Sequence, residues 1–257
     1  TDDFVITDGV LTAYTGEGGD IVIPDGVIAI GDEVFKDNTT ITSVSFPDSL
    51  TSIGDDAFSG CTSLAGTLTL PKSLTYIGND AFHGCSGFTG SLVIPSSVTS
   101  IGKFAFRGCS GFTGNLDIPD SITTIDWRAF ENCTGFTGDL VLPDSVTSIG
   151  QFAFSGCTGF KGSLVIPDSV TSIGGAAFYG CSGFTGDLVI PAGVTSISSN
   201  AFQDCSGFNG KLTLPESLTS IEFSAFSGCS GLTGGLVIPD SVTSIGSEAF
   251  LNCSRLT

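Results

Sequence analysis

Nine cysteines, from Cys61 to Cys253, recur once every 24 residues and are the first groups in this 257-residue chain that could do chemistry. Clustered thiolates bind zinc, paired thiols form disulfides, and a thiol beside a histidine acts as a nucleophile. The spacing argues against all three. No two cysteines lie closer than 24 residues, and His83 is the sole histidine. Stacked Cα atoms about 4.8 Å apart would permit a disulfide, but in-register Cβ atoms stay wider than the usual separation of about 3.8 Å, and an odd count leaves one thiol over. Each cysteine is therefore read as a small buried hydrophobe filling a tight corner. Free buried thiols in an exported protein fit an anaerobic habitat.

The remaining reactive groups are as regular. Thr99, Ser100 and their equivalents recur in nearly every unit, with no base beside them other than His83; a hydroxyl nucleophile needs a base. The GFTG and GCSG stretches carry no P-loop lysine and open no long helix, so they are bends. Asp2, Asp3, Asp8 and Asp20 could attract calcium, but their spacing matches no calcium loop. No metal, cofactor or enzymatic activity is expected; a polysaccharide lyase or hydrolase on a β-helix would show acidic and basic side chains grouped on adjacent rungs.

What positions all these residues is a ruler. The ten prolines fall at 24, 47, 71, 95, 119, 143, 167, 191, 215 and 239, and phenylalanine always stands eleven places later, from Phe35 to Phe250. Cysteine stands fourteen places later, with Asn38 taking its place in the first unit. Such a period is the signature of a repeat solenoid. Counting from proline as zero, positions −3 and −1 are apolar (Leu92, Ile94) while −4 and −2 vary, which is a strand with one buried face. Proline ends the strand, and the chain turns and stays inward-facing at +3 and +6, as in Val98 and Ile101. Glycine is usual at +7, +13 and −5, where the coil must bend. Between bends, KFAFRGC or SSNAFQDC is read as one short helical or 3-10 turn burying alanine, phenylalanine and cysteine. One such unit buries too little to offset the ordering of 24 residues, so the units must stack. About ten rungs then form a right-handed coil, a rod on the order of 45 Å long, with a parallel β-sheet on one face.

The pattern L-x-I-P-x-S-V-T-S-I-G-x-x-A-F-x-x-C-x-x-[LF] resembles the BspA-like leucine-rich repeat family of bacterial surface proteins and some parasitic protists, over about residues 18–257. The resemblance implies a leucine-rich-repeat coil, adhesion through binding of host or neighbouring-cell surface proteins, and no catalysis. The chain departs from the commoner family spacing by an extra residue, with most units 24 long and the first step 23. Residues 1–17 resemble the segment that often precedes such arrays: Asp8 and Gly9 form a turn pair between Phe4–Thr7 and Val10–Tyr14, giving a capping hairpin. Residues 18–257 are then a single solenoid domain, whose C-terminal end at Leu256 and Thr257 is expected to be uncapped. With no methionine and no charged apolar leader, the chain is expected to be a processed product or an excised domain. No apolar run approaches the roughly 18 residues needed to cross a bilayer.

Two groups of residues break the repeat and are candidate binding residues. The first is Lys103, Phe104, Arg107, Trp127, Arg128 and Phe152, which hold three of the eight basic residues and the only tryptophan; aromatics beside arginine are the composition of binding hot spots and of sugar-stacking surfaces. The second is the outward strand face, where Val141, Val165 and Val189 run consecutively at −2, flanked by Val93 and Val237, with Asp139, Asp187 and Lys211 at −4. Both groups also have a plain structural reading, as inter-rung packing and as strand propensity. The net charge of −18 excludes nucleic acid and anionic membranes as partners over most of the surface. The chain is thus read as an extracellular or cell-surface interaction module holding a protein partner; a carbohydrate-binding module using Phe104, Trp127 and Phe152, or a passive spacer, are the alternatives.

Overall fold

The computed structural model describes residues 3–257, so Asp2 lies outside the described residues. Ten two-residue strands recur at +5 and +6 of each unit, from Ala29–Ile30 to Ser244–Ile245, and define nine full turns of a parallel solenoid. They pair in strict register: Ser52 opposes Tyr76, Ile53 opposes Ile77, and the 23-residue first step sets Ala29 against Ser52. The strand expected before proline is present as well, for example Leu92–Val93, Leu116–Asp117 and Leu140–Val141, again parallel and in register. Seven of the ten units therefore supply two strands to two faces of the coil, where the sequence pattern points to one. At the corner between them the proline carbonyl accepts the N–H of residue +3, as in Leu50 to Pro47 at 3.1 Å.

The N-terminal hairpin forms as expected. Strands β1 (Phe4–Thr7) and β2 (Val10–Tyr14) pair antiparallel around Asp8 and Gly9, both with positive φ. Strand β2 then pairs in parallel with Ala29–Ile30, placing Leu11 beside Ile30. Tyr14 also lies 5.3 Å from Phe35, closing the first rung of the aromatic core.

The helical or 3-10 turn does not form; the described residues contain no helix. In its place is a run of single turns, and the reason is backbone handedness. Every unit carries two left-handed residues, at +9 and +13, such as Asp56 (φ 55°) and Gly60 (φ 74°). Each one interrupts the right-handed path that a helix requires. Alternate N–H groups then divide their labour. Those of Ala57, Ser59 and Cys61 close turns within the rung, onto Gly54, Asp56 and Phe58, whereas those of Asp56, Phe58 and Gly60 reach Asn79, Ala81 and His83 of the next rung at 2.7–2.8 Å. The turn face is thereby cross-linked to its neighbour almost as a sheet would be.

Position +7 has a different constraint. A Cβ on Gly102 would come within 2.5 Å of Asn79 N and Gly78 C, so a side chain there pushes adjacent rungs apart. Asp126 and Ser198 occupy this position, and the +5/+6 ladder is interrupted at both, between Ile101 and Thr124 and between Ile173 and Ser196. Glu222 keeps its bond to Ile197 at 2.9 Å, so a side chain weakens the contact without forbidding it.

The core is two files of phenylalanine. At +11 the rings from Phe35 to Phe250 stack 4.8–5.6 Å apart and nearly parallel. At +17 a second file runs from Phe88 to Phe208 with ring centroids 5.4–6.0 Å apart. Beside them every cysteine is free and buried. Its thiol donates to the carbonyl of the +11 phenylalanine one rung earlier, as in Cys157 to Phe130 at 3.1 Å. Burial raises the thiol pKa, to about 12 for Cys157 against an ordinary value near 9.

Two predictions follow from this packing. Gly102→Ala should lower stability by about 1–3 kcal/mol through overpacking. Gly180→Asn, at φ 70° with nothing within 4 Å of the added Cβ, should change it by no more than about 0.5 kcal/mol; urea midpoints compare the two. Thiols that stay protonated in the folded chain but ionise in the unfolded one contribute stability that is full below pH 9 and is lost as pH rises from 9 towards 12. Urea melts at pH 8 and 10.5 should show that loss, and Cys157→Ala should reduce its slope by about 1.4 kcal/mol per pH unit.

Candidate functional site

The first candidate group assembles on the turn face. Position +9 is left-handed in every unit and carries Glu, Asp, Ala, Asn or Ser in seven of them, but Phe104, Arg128 and Phe152 on three consecutive rungs, with φ of 58°, 55° and 56°. A bulky side chain there is a conformational outlier, costing about 1–2 kcal/mol. The three stack as a column: the Arg128 guanidinium lies 4.3 Å from the Phe152 ring centre, 5.6 Å from Trp127 and 6.0 Å from Phe104. Trp127 in turn lies 4.9 Å from Phe104. Half-buried cation–π contacts return about 1–2 kcal/mol each, so the three that Arg128 makes are comparable to the strain of the three left-handed residues.

Glu131 fastens the column. It is only 7% exposed, and it receives Arg107 Nε at 2.6 Å and Arg128 Nη1 at 3.1 Å on both of its oxygens. Sequence reasoning omits this residue, although it is the sole acid at +12, three places after Arg128 and one unit after Arg107. Arg128 Nε is buried and donates to no protein group. Of the six residues, Phe104, Arg107, Arg128 and Phe152 are half-buried, while Lys103 and Trp127 are exposed, Trp127 by 39%.

Lys103 also ends a series of bonds along the +8 row. In the preceding rungs the +8 side chain accepts the next +8 N–H: Asp32 from Asp55, Asp55 from Asn79, and Asn79 from Lys103, at 2.8–2.9 Å. Lysine has no acceptor, so the series stops, and the Trp127 N–H is taken by the carboxylate of its own neighbour Asp126 at 2.6 Å. Among the described residues the Lys103 ammonium makes no ion pair.

The second candidate group lies on the other face of the coil. Val141, Val165 and Val189 are 65%, 67% and 51% exposed on consecutive rungs, and Val141 bridges directly to Val165. Two shallow depressions of about 540 Å³ each run along them and share Ser163 and Val165. Asp139, Asp168 and Asp187 line these depressions. Asp187 also has a structural duty, accepting the Lys211 N–H at 2.7 Å. The structure therefore sets the two candidate groups on different faces and does not bring them together.

His83 and Thr99 are each held by a neighbour. His83 Nδ1 lies 3.3 Å from Asp80 on the turn face, whereas the Thr99 hydroxyl donates to the Thr75 carbonyl at the start of a +5/+6 strand. Asp20 accepts Ser43 and Thr42 hydroxyls, which lower its pKa. Among the described residues no three metal-ligating side chains converge.

The sequence model for the BspA type leucine rich repeat region matches residues 14–137, 77–208 and 136–257. No curated protein matches. Among solved structures, a leucine-rich repeat protein from Bacteroides ovatus shares 25% identity over 95% of this chain and 80% of its own, with a TM-score of 0.57. One from Eubacterium ventriosum shares 20% over 96% and 91%, with a TM-score of 0.52. A leucine rich cell surface protein from Faecalibacterium prausnitzii shares 27% over 99% and 91%, with a TM-score of 0.45. Repeat pattern, stacked coil and matched span agree, and the chain belongs to the BspA-type leucine-rich repeat family.

Proposed function

We propose that the chain is a non-catalytic cell-surface or extracellular module that mediates adhesion by holding a protein partner on its strand face. The observation that carries this reading is the run of exposed valines at −2, three of them on consecutive rungs, over connected depressions lined by aspartates. Solvent-exposed aliphatic side chains gathered in one strip mark an interaction surface, and the acidic lining of a chain with net charge −18 selects a partner segment bearing lysine or arginine. An extended segment can lie along the strip, where side chains about 6.6 Å apart on one of its faces would cross rungs about 4.8 Å apart. Membership of a family of repeat scaffolds supports the absence of catalysis and the location outside the cell. No helix among the described residues is long and apolar enough to cross a membrane.

Beads coated with the chain should adhere to surfaces bearing basic host extracellular proteins, and adherence should fall as salt rises. The triple variant Val141→Ser, Val165→Ser, Val189→Ser should weaken binding by at least about tenfold, with an unchanged urea midpoint. Equal adherence of the variant and the native chain would exclude the strand face and favour a passive spacer.

A further inference from the structure

We propose that the turn-face patch around Trp127 and Lys103 binds an acidic saccharide, a sugar whose ring carries a carboxylate. The site is separate from the strand face and does not depend on the reading given to that face.

The first argument is the concentration of bulky left-handed residues in one place. Three adjacent rungs place Phe104, Arg128 and Phe152 in left-handed backbone where seven others carry small or acidic residues. Strain of this kind, held together by a stacked column, gathers at ligand sites.

Charge is the second argument. On a chain with 26 acidic and 8 basic residues, Lys103, Arg107 and Arg128 sit together; Glu131 takes both arginines, while the Lys103 ammonium makes no ion pair among the described residues. That ammonium is exposed, one rung from the exposed indole of Trp127, or about 5 Å along the row.

The third argument separates a sugar from a peptide. The N–H groups of Phe104, Trp127 and Arg128 donate to Trp127 O, Asp126 Oδ1 and Gln151 O, and the carbonyls of Lys103, Phe104, Trp127 and Arg128 all accept bonds. No main-chain edge remains here for an extended peptide, which relies on such bonds. What the patch offers is an aromatic face and a cation. A pyranose can lay its C–H face on the indole while its carboxylate meets Lys103 in a charge-assisted bond; a neutral sugar satisfies only the first group, and an acidic peptide only the second.

Trp127 is the only tryptophan, so its emission reports directly on the site. The full chain is titrated with polygalacturonate and with hyaluronan, and in parallel with fully methyl-esterified polygalacturonate and with poly-glutamate. The expected result is a saturable emission change with at least one of the two acidic polysaccharides and none with the ester or the polypeptide. Lys103→Ala should weaken that binding about tenfold, and calorimetry should detect none with Trp127→Ala. Both side chains are exposed, and the ester control needs no variant at all. The strand-face triple serine variant should bind the sugar normally, which keeps the two surfaces distinguishable. Silence with both acidic polysaccharides, equal binding of the ester, or equal binding of poly-glutamate would each overturn the proposal.

Discussion

Everything in this molecule hangs on hydrogen bonds between residues one unit apart in sequence. On the +5/+6 strand face N–H groups reach back, as Gly78 does to Ile53, whereas before proline they reach forward, as Leu92 does to Asn115, and so they do on the turn face, as Phe82 does to Ala105. Each rung is thus tied in both directions, and no contact between distant rungs is needed. The stacked phenylalanines follow from this register: once the backbone repeats in phase, identical side chains must lie over one another, and a flat ring is the shape that stacks at about 5 Å with little loss of packing. The cysteine thiols fit the same logic, each donating to a carbonyl whose position the ladder has already fixed.

The repeat makes the invariant positions structural and leaves the variable ones free for recognition. Its two faces use that freedom differently. The strand face alternates in and out, so an outward valine disturbs nothing beneath it. The turn face is more restrictive, because two of its positions are left-handed and most side chains resist that backbone. Acidic and amide residues tolerate it, which is one physical source of the Asp and Asn found there. Phe104, Arg128 and Phe152 are the departures, and they are retained together with a buried carboxylate that holds two arginines.

The coil, its period, the buried cysteines and the capping hairpin were all legible in the sequence, since each rests on a residue type recurring at fixed phase. The turn face was not. The segment KFAFRGC has the composition of a short helix, and only the sign of φ at Phe104 and Gly108 excludes one; both backbone signs look alike in a residue string. The second strand was hidden because two residues, such as Ser100 and Ile101, are too few to alternate. Of the candidate residues, the sequence located the aromatic and basic ones but not Glu131, whose partners lie three and 24 positions away and meet it only after coiling.

Because every rung touches only its neighbours and the register is one unit, a 24-residue cassette duplicated or removed in frame between prolines would lengthen or shorten the rod without altering the geometry elsewhere. Such an event moves the Trp127 column relative to the hairpin as a bead is moved along a wire. Distance between recognition features is thereby a heritable quantity that changes in whole steps, while the chemistry of each feature is carried along intact.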